Sequence, residues 1–122
     1  MTRFLDVRHV MAVQDLAAST EYYTRVLRFQ RDPIDAPRWS FLSRDGVKLM
    51  LGECADEVAA AETGSHSWML RIIIEGLDEF HHELKDRGVE VLIEPSTRAY
   101  GLREFVIRTP DGHRIMFAEA VK

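Results

Sequence analysis

The sequence contains a partial copy of itself. Residues 45–51 read Asp-Gly-Val-Lys-Leu-Met-Leu and residues 111–117 read Asp-Gly-His-Arg-Ile-Met-Phe, so that Asp45 to Asp111 and Met50 to Met116 are both separated by 66 residues. Self-similarity at a fixed spacing is the mark of a repeated supersecondary unit. In each copy Asp-Gly precedes an alternating apolar run, and Asp-Gly is a strong hairpin signal because both turn residues tolerate positive φ. Upstream, Val13-Gln14-Asp15-Leu16 corresponds to Ile74-Glu75-Gly76-Leu77 at a separation of 61. Each copy therefore reads as a strand, a helix, and strands that end in a hairpin.

The helices fit this pattern. Leu16, Tyr23, Val26 and Leu27 recur at helical spacing after Asp15, whose side chain suits the free amides of a first turn. In the second copy Leu77, Phe80 and Leu84 form the stripe, and Gly88 stands where a left-handed cap is wanted. Arg28 occupies the matching end of the first helix, where a left-handed conformation costs on the order of 1 kcal/mol relative to glycine. The opening strands alternate: Leu5, Val7, His9, Met11 and Val13 share one face, and Asp6, Arg8, Val10 and Ala12 the other. In the second copy Leu70, Ile72 and Ile74 face the helix, with Met69, Arg71 and Ile73 opposite. The Ala-rich, acidic stretch between the copies reads as a linker with room for a helical turn.

Charge and cysteine usage narrow the function. A net charge of −4 offers no cationic field for a phosphate backbone, so nucleic acid is not an expected partner. Asp6 and Arg8 interrupt the apolar N-terminal stretch, and no run approaches the length of a membrane span, so the expected location is the cytoplasm. The lone Cys54 excludes an intramolecular disulfide and a two-thiolate metal site.

Two segments carry a family resemblance. Val10-Met11-Ala12-Val13-Gln14-Asp15-Leu16, the helix with Tyr22-Tyr23, and the closing Leu27-Arg28-Phe29 form the first. Tyr100-Gly101-Leu102-Arg103-Glu104-Phe105, followed by Thr109-Pro110-Asp111-Gly112, forms the second. In order and duplicated, they resemble the vicinal oxygen chelate superfamily of glyoxalases, bleomycin-resistance proteins and extradiol dioxygenases. The ending is similar to the bleomycin-resistance type, with Thr109 replacing an Asp. The resemblance implies an α+β fold of two βαβββ modules forming a curved mixed sheet around a pocket, in a single domain spanning 1–122. Module one covers about residues 4–53, the linker about 54–66 and module two about 67–120. It further implies a homodimer.

Enzymes of the superfamily hold a divalent metal with His and Glu on matched strands. Counted along this chain, the His positions fall on Arg8 and Met69, and the Glu positions on Met116 and Met50. Arginine stays protonated and ligates no metal, and thioethers suit soft ions rather than magnesium, manganese or zinc. His9 is one residue out of register, and His66 and Glu119 have the wrong parity. His81 and His82 diverge by roughly 100° on a helix and read as surface residues, as does His113. The expectation is therefore no metal and no cofactor. The ligand-binding surface is expected to comprise Arg8, Val10, Met50, Met69, Arg71, Ile73 and Met116, with Trp39, Tyr100 and Arg103 at its rim. Glu75 and Glu104 are candidate bases if buried, while Arg103 and Glu104 read as an ion pair. The resulting function is a small-molecule-binding protein that sequesters an aromatic or antibiotic-like compound. The alternative is a glyoxalase-like lyase, isomerase or dioxygenase with a non-standard or cofactor-free active site, and the sequence leaves open whether the chain is an enzyme.

Overall fold

The computed structural model describes residues 1–64 and 70–121, so Met69 and His66 lie outside the described residues. The chain divides into two compact units, Met1–Ala55 and Asp56–Lys122. The first contains β1 (His9–Val13), α1 (Leu16–Glu21) running into a π-helical turn (Tyr22–Val26), β2 (Gln30–Arg31), β3 (Trp39–Arg44) and β4 (Val47–Glu53). The second contains a 3₁₀ turn (Ala60–Glu62), β5 (Leu70–Ile73), α2 (Leu77–Asp86), β6 (Glu90–Thr97), β7 (Leu102–Arg108) and β8 (Arg114–Ala120). Their sheets have matching orders, β1-β4-β3-β2 and β5-β8-β7-β6. In each, the first strand pairs in parallel with the last, and the last pairs in antiparallel with the one before it. The fold is α+β, with two mixed four-stranded sheets.

Strand parity separates two faces. In the first sheet Met11, Val13, Leu42, Leu49 and Leu51 are buried on the helix side, where the Tyr23 hydroxyl meets the Met11 sulfur and Thr20 Oγ1 lies 2.7 Å from Ser40 Oγ. In the second, Phe80 of α2 packs edge-on against Phe117 and is tilted against Phe105, with Ile72, Ile107 and Ile115 beside them. Burying rows of this kind stabilises by roughly 1.5–3 kcal/mol per large side chain. It also fixes register, since a one-residue slip would turn each row outward.

The helix ends show where the two copies differ in helix length. Asp15 accepts from the Ala18 amide as the N-cap of α1, and the Glu119 carboxylate accepts from the Gly76 and Leu77 amides at the start of α2. Leu16 and Leu77 are 61 residues apart, whereas the left-handed residues closing the helices, Arg28 (φ 62°) and Gly88 (φ 79°), are 60 apart. The first copy thus holds one extra residue, taken up by the π turn, in which the Leu27 amide donates to the Tyr22 carbonyl. The hairpins differ as well. Asp45-Gly46 is a two-residue connection between Arg44 and Val47, with Asp45 at φ 51°. Asp111-Gly112 lies in a longer loop between Arg108 and Arg114, closed by Thr109 and His113. Pro110 has no amide proton for a ladder, which favours the longer loop.

Other expectations need correction. β1 starts at His9 rather than Leu5, and Phe4, Leu5 and Val7 are exposed. At the observed register Leu5 would meet Asp45, in the turn before β4, so β4 offers it no strand partner. The linker is held to the second unit: Arg114 is buried and donates to Thr63 Oγ1 and the Gly64 carbonyl. A Cβ on Gly112 would stand 2.4 Å from the Ala61 amide nitrogen.

Arg28 is exposed and left-handed, so Arg28→Gly is expected to stabilise the protein by about 0.5–1 kcal/mol after glycine's greater unfolded-state entropy is allowed for. That corresponds to a rise of roughly 2–4 °C in the melting temperature measured by circular dichroism.

Candidate functional site

Of the expected ligand-binding residues, Arg8, Val10, Trp39, Met50, Arg71, Ile73 and Met116 fall on the helix-free faces of the two sheets. In the first unit Val10, Met50 and Phe41 lie side by side across β1, β4 and β3, and Ala12, Gly52 and Trp39 form the next row. The Trp39 ring lies against Gly52, where an added Cβ would come within 2.6 Å of it. Any side chain at Gly52 would therefore displace the indole. Arg8 sits 5.1 Å over the Phe41 ring. Its Nη1 donates to the Leu49 and Leu42 carbonyls and approaches Asp32 at 3.2 Å, while Ser43 donates to the other Asp32 oxygen. Arg8 is thus anchored to its own sheet by backbone acceptors and a carboxylate.

In the second unit Arg71 pairs across from Met116, and Ile73 from Ala118. Arg71 Nη1 lies against the Met116 sulfur and reaches across β8 to Glu104 on β7, at 2.6 Å. The Tyr100 hydroxyl donates to Glu104 Oε1 at 2.6 Å, and Arg98 Nε stands 3.4 Å from the same oxygen. Arg8, Val10, Trp39 and Met50 thus share the first sheet's helix-free face. Arg71, Ile73 and Met116 share the second's, where Tyr100 is joined to them through Glu104. Arg103 does not join them. It points to the helix side and binds Asp78 of α2 at 3.0 Å, because adjacent strand residues face opposite ways. For the same reason the expected Arg103–Glu104 pair is replaced by Arg71 and Arg98 on Glu104.

Glu104 is the residue that spacing alone undervalued. It is 3% exposed. Burial pushes its carboxyl up, but the Tyr100 hydroxyl and the Arg71 and Arg98 guanidinium groups outweigh that and hold its pKa below the ordinary glutamate value. The hydrogen bond to Glu104 in turn raises the Tyr100 phenol, which stays neutral. A carboxylate so stabilised makes a fixed counter-charge and a poor general base. Glu75, the other candidate base, is exposed.

Among the described residues no group of three or more His, Cys, Asp or Glu side chains converges as a metal site would require. At the inferred ligand positions stand the sheet-anchored Arg8 and two thioethers, one in contact with a guanidinium, a donor set that does not fit a hard divalent cation. In the observed register His9 belongs to the helix side with Met11, and Glu119 is occupied at the α2 N-terminus. His81 and His113, expected at the surface, are buried. The former packs on Phe105 and lies 2.7 Å from Glu94, and the latter's amide and carbonyl close the second hairpin.

The family model of the Glyoxalase/Bleomycin resistance protein/Dioxygenase superfamily matches residues 7–117. No curated protein sequence matches the chain. Among solved structures, a glyoxalase/bleomycin resistance protein/dioxygenase from Alicyclobacillus acidocaldarius is similar at 16% identity and a TM-score of 0.80, covering 96% of this chain and 92% of its own. The bleomycin-binding protein of bleomycin-producing Streptomyces verticillus, complexed with copper(II)-bleomycin, is similar at 20% identity and a TM-score of 0.75 over the whole of both chains. TioX from Micromonospora sp. ML1 is similar at 20% identity and a TM-score of 0.74, covering 97% and 100%. At these identities the likeness establishes the fold.

Two predictions follow from the face assignments. Met116→Glu introduces a carboxylate beside Arg71 on the helix-free face and is expected to cost no more than about 1–2 kcal/mol. Phe117→Glu places one between Phe80 and Phe105 and is expected to unfold the protein; equal damage in thermal melts would refute the assignment. Glu104→Gln, discounted for its half-exposed arginine partners, should cost about 1–3 kcal/mol at neutral pH. Because the folded pKa of Glu104 is lowered, its contribution is complete above the ordinary glutamate range and is lost as pH falls through the folded value. The melting-temperature gap between wild type and Glu104→Gln should therefore narrow on acidification.

Proposed function

The chain belongs to the glyoxalase/bleomycin resistance protein/dioxygenase superfamily, and on that premise we propose that it binds and sequesters a small organic molecule without a resident metal ion. The observation that carries this reading is the Arg71 guanidinium lying against Met116, at the position where a metal-dependent relative would need a ligating carboxylate. A fixed cation there opposes a metal ion by like-charge repulsion, whereas the Met116 thioether and the aliphatic Ile73 on the same face suit an amphipathic compound. Ile73 and Val10 support the same reading, since each presents an exposed aliphatic side chain on a helix-free face. The ligand named for the Streptomyces verticillus relative is copper(II)-bleomycin, which extends the reading to antibiotic-like compounds. A cytoplasmic homodimer is the proposed working state.

The alternative, a cofactor-free enzyme, has one observation in its favour, the 2.6 Å Tyr100–Glu104 contact. Against it stand the lowered acidity range of Glu104 and the raised one of Tyr100, which leave neither poised near neutrality.

Native mass spectrometry with elemental analysis tests the proposal on protein purified without chelator. The expected result is substoichiometric metal and a melting temperature unchanged by EDTA. A saturating small molecule is expected to raise stability by about 2.7 kcal/mol at a hundredfold excess over its Kd. One equivalent of zinc, nickel, manganese or iron per chain would overturn the metal-free reading.

A further inference from the structure

We propose that Arg71, Arg98 and Tyr100 form a seat for the carboxylate of a small amphipathic acid, with Glu104 as the buried group that positions it. This names the ligand class for the small-molecule reading above and rests on it. Glu104 is satisfied from both oxygens by three donors, so it holds its partners and accepts nothing further of consequence. Two guanidinium groups face one carboxylate, and the phenol between them is neutral. The cluster therefore carries one net positive charge.

Each arginine directs one nitrogen at Glu104, Nη1 of Arg71 and Nε of Arg98. Their side chains remain 40% and 43% exposed, and among the described residues no second carboxylate pairs with either. A guanidinium has five donors in a planar fork, so the outward edges are free to grip a carboxylate in the bidentate manner this group favours. The Tyr100 ring and Ile73, which shares the Arg71 face of β5, are both exposed and offer apolar surface for the rest of the acid.

A purely structural ion pair explains the cluster less well. The repeat supplies a control within the chain: Val10 holds in the first unit the place that Arg71 holds in the second, each paired in parallel with the corresponding methionine. The fold therefore needs no charge there. A single arginine would suffice to neutralise Glu104, and the outward-facing second one adds little stability. Arg8 shows the contrasting arrangement, with its Nη1 committed to two backbone carbonyls and Asp32.

Paired probes test the inference. Benzoate, phenylacetate and hexanoate, each with its primary amide, would be titrated into the intact protein by calorimetry and by amide-resolved NMR. At least one acid is expected to bind at least about tenfold tighter than its amide, the factor that a charge-assisted hydrogen bond supplies. Shifts are expected on β5, β7 and the Arg98–Tyr100 loop. Arg98→Gln should erase most of that preference. Arg71→Lys, which keeps the charge but loses the fork, should weaken acid binding without unfolding the chain. Acid and amide binding equally, or a preference that survives both variants, would overturn the carboxylate seat and leave the small-molecule reading standing. Binding of no acid and no amide at millimolar concentration, with no shifts on this face, would overturn both.

Discussion

In each unit the first strand of the sheet pairs in parallel with the last, β1 with β4 and β5 with β8. That pairing sets Met50 beside Val10, Met116 beside Arg71, and the leucine, isoleucine and phenylalanine rows beneath the helices. Because the side-chain period of a strand is two, burying Leu49 and Leu51, or Ile115 and Phe117, turns the residues between them to the opposite face. A helix-free face bearing methionine and arginine is thus a direct consequence of where the apolar residues go. The same constraint sends Arg103 to Asp78 and Glu104 to Arg71, although the two residues are adjacent in sequence.

The second unit shows how a buried carboxylate is tolerated. Isolated, Glu104 would be costly to desolvate or would be driven to its neutral form. Two guanidinium groups and a phenol hold it ionised instead. Buried ion pairs of this kind contribute little net stability over apolar packing, so the geometry they impose is the more informative property. Here they fix Arg71 and Arg98 with part of each guanidinium exposed. Arg8 illustrates the opposite outcome, with its guanidinium drawn onto the backbone of its own sheet.

Much of this was legible from residue order. The repeated Asp-Gly runs, the alternation in β1 and β5 and the helical stripes are local patterns. They gave the two βαβββ units, the helix boundaries and the faces of Val10, Met50, Arg71 and Met116. The left-handed Arg28 was legible because Gly88 marks the same helix end in the other copy. Some errors were local too. A short turn at Asp111-Gly112 would leave His113 in solvent, whereas Pro110 and Thr109 build a longer loop that buries the histidine. The strand placed at Leu5 assumed a partner that β4 does not extend far enough to supply.

What the sequence determined by itself is what depends on near neighbours along the chain: which segments alternate, which are helical, where they turn, and hence which residues share a face. The cluster around Glu104 is of another kind. It joins Arg71 on β5 to a residue 33 positions away on β7, across the intervening β8, and adds Arg98 and Tyr100 from the turn before β7. No periodicity signals such a meeting, because it depends on strand order and on how far an arginine side chain reaches over its neighbour. Tertiary structure decided it, by placing β8 between β5 and β7 and so bringing one buried carboxylate within reach of two arginines.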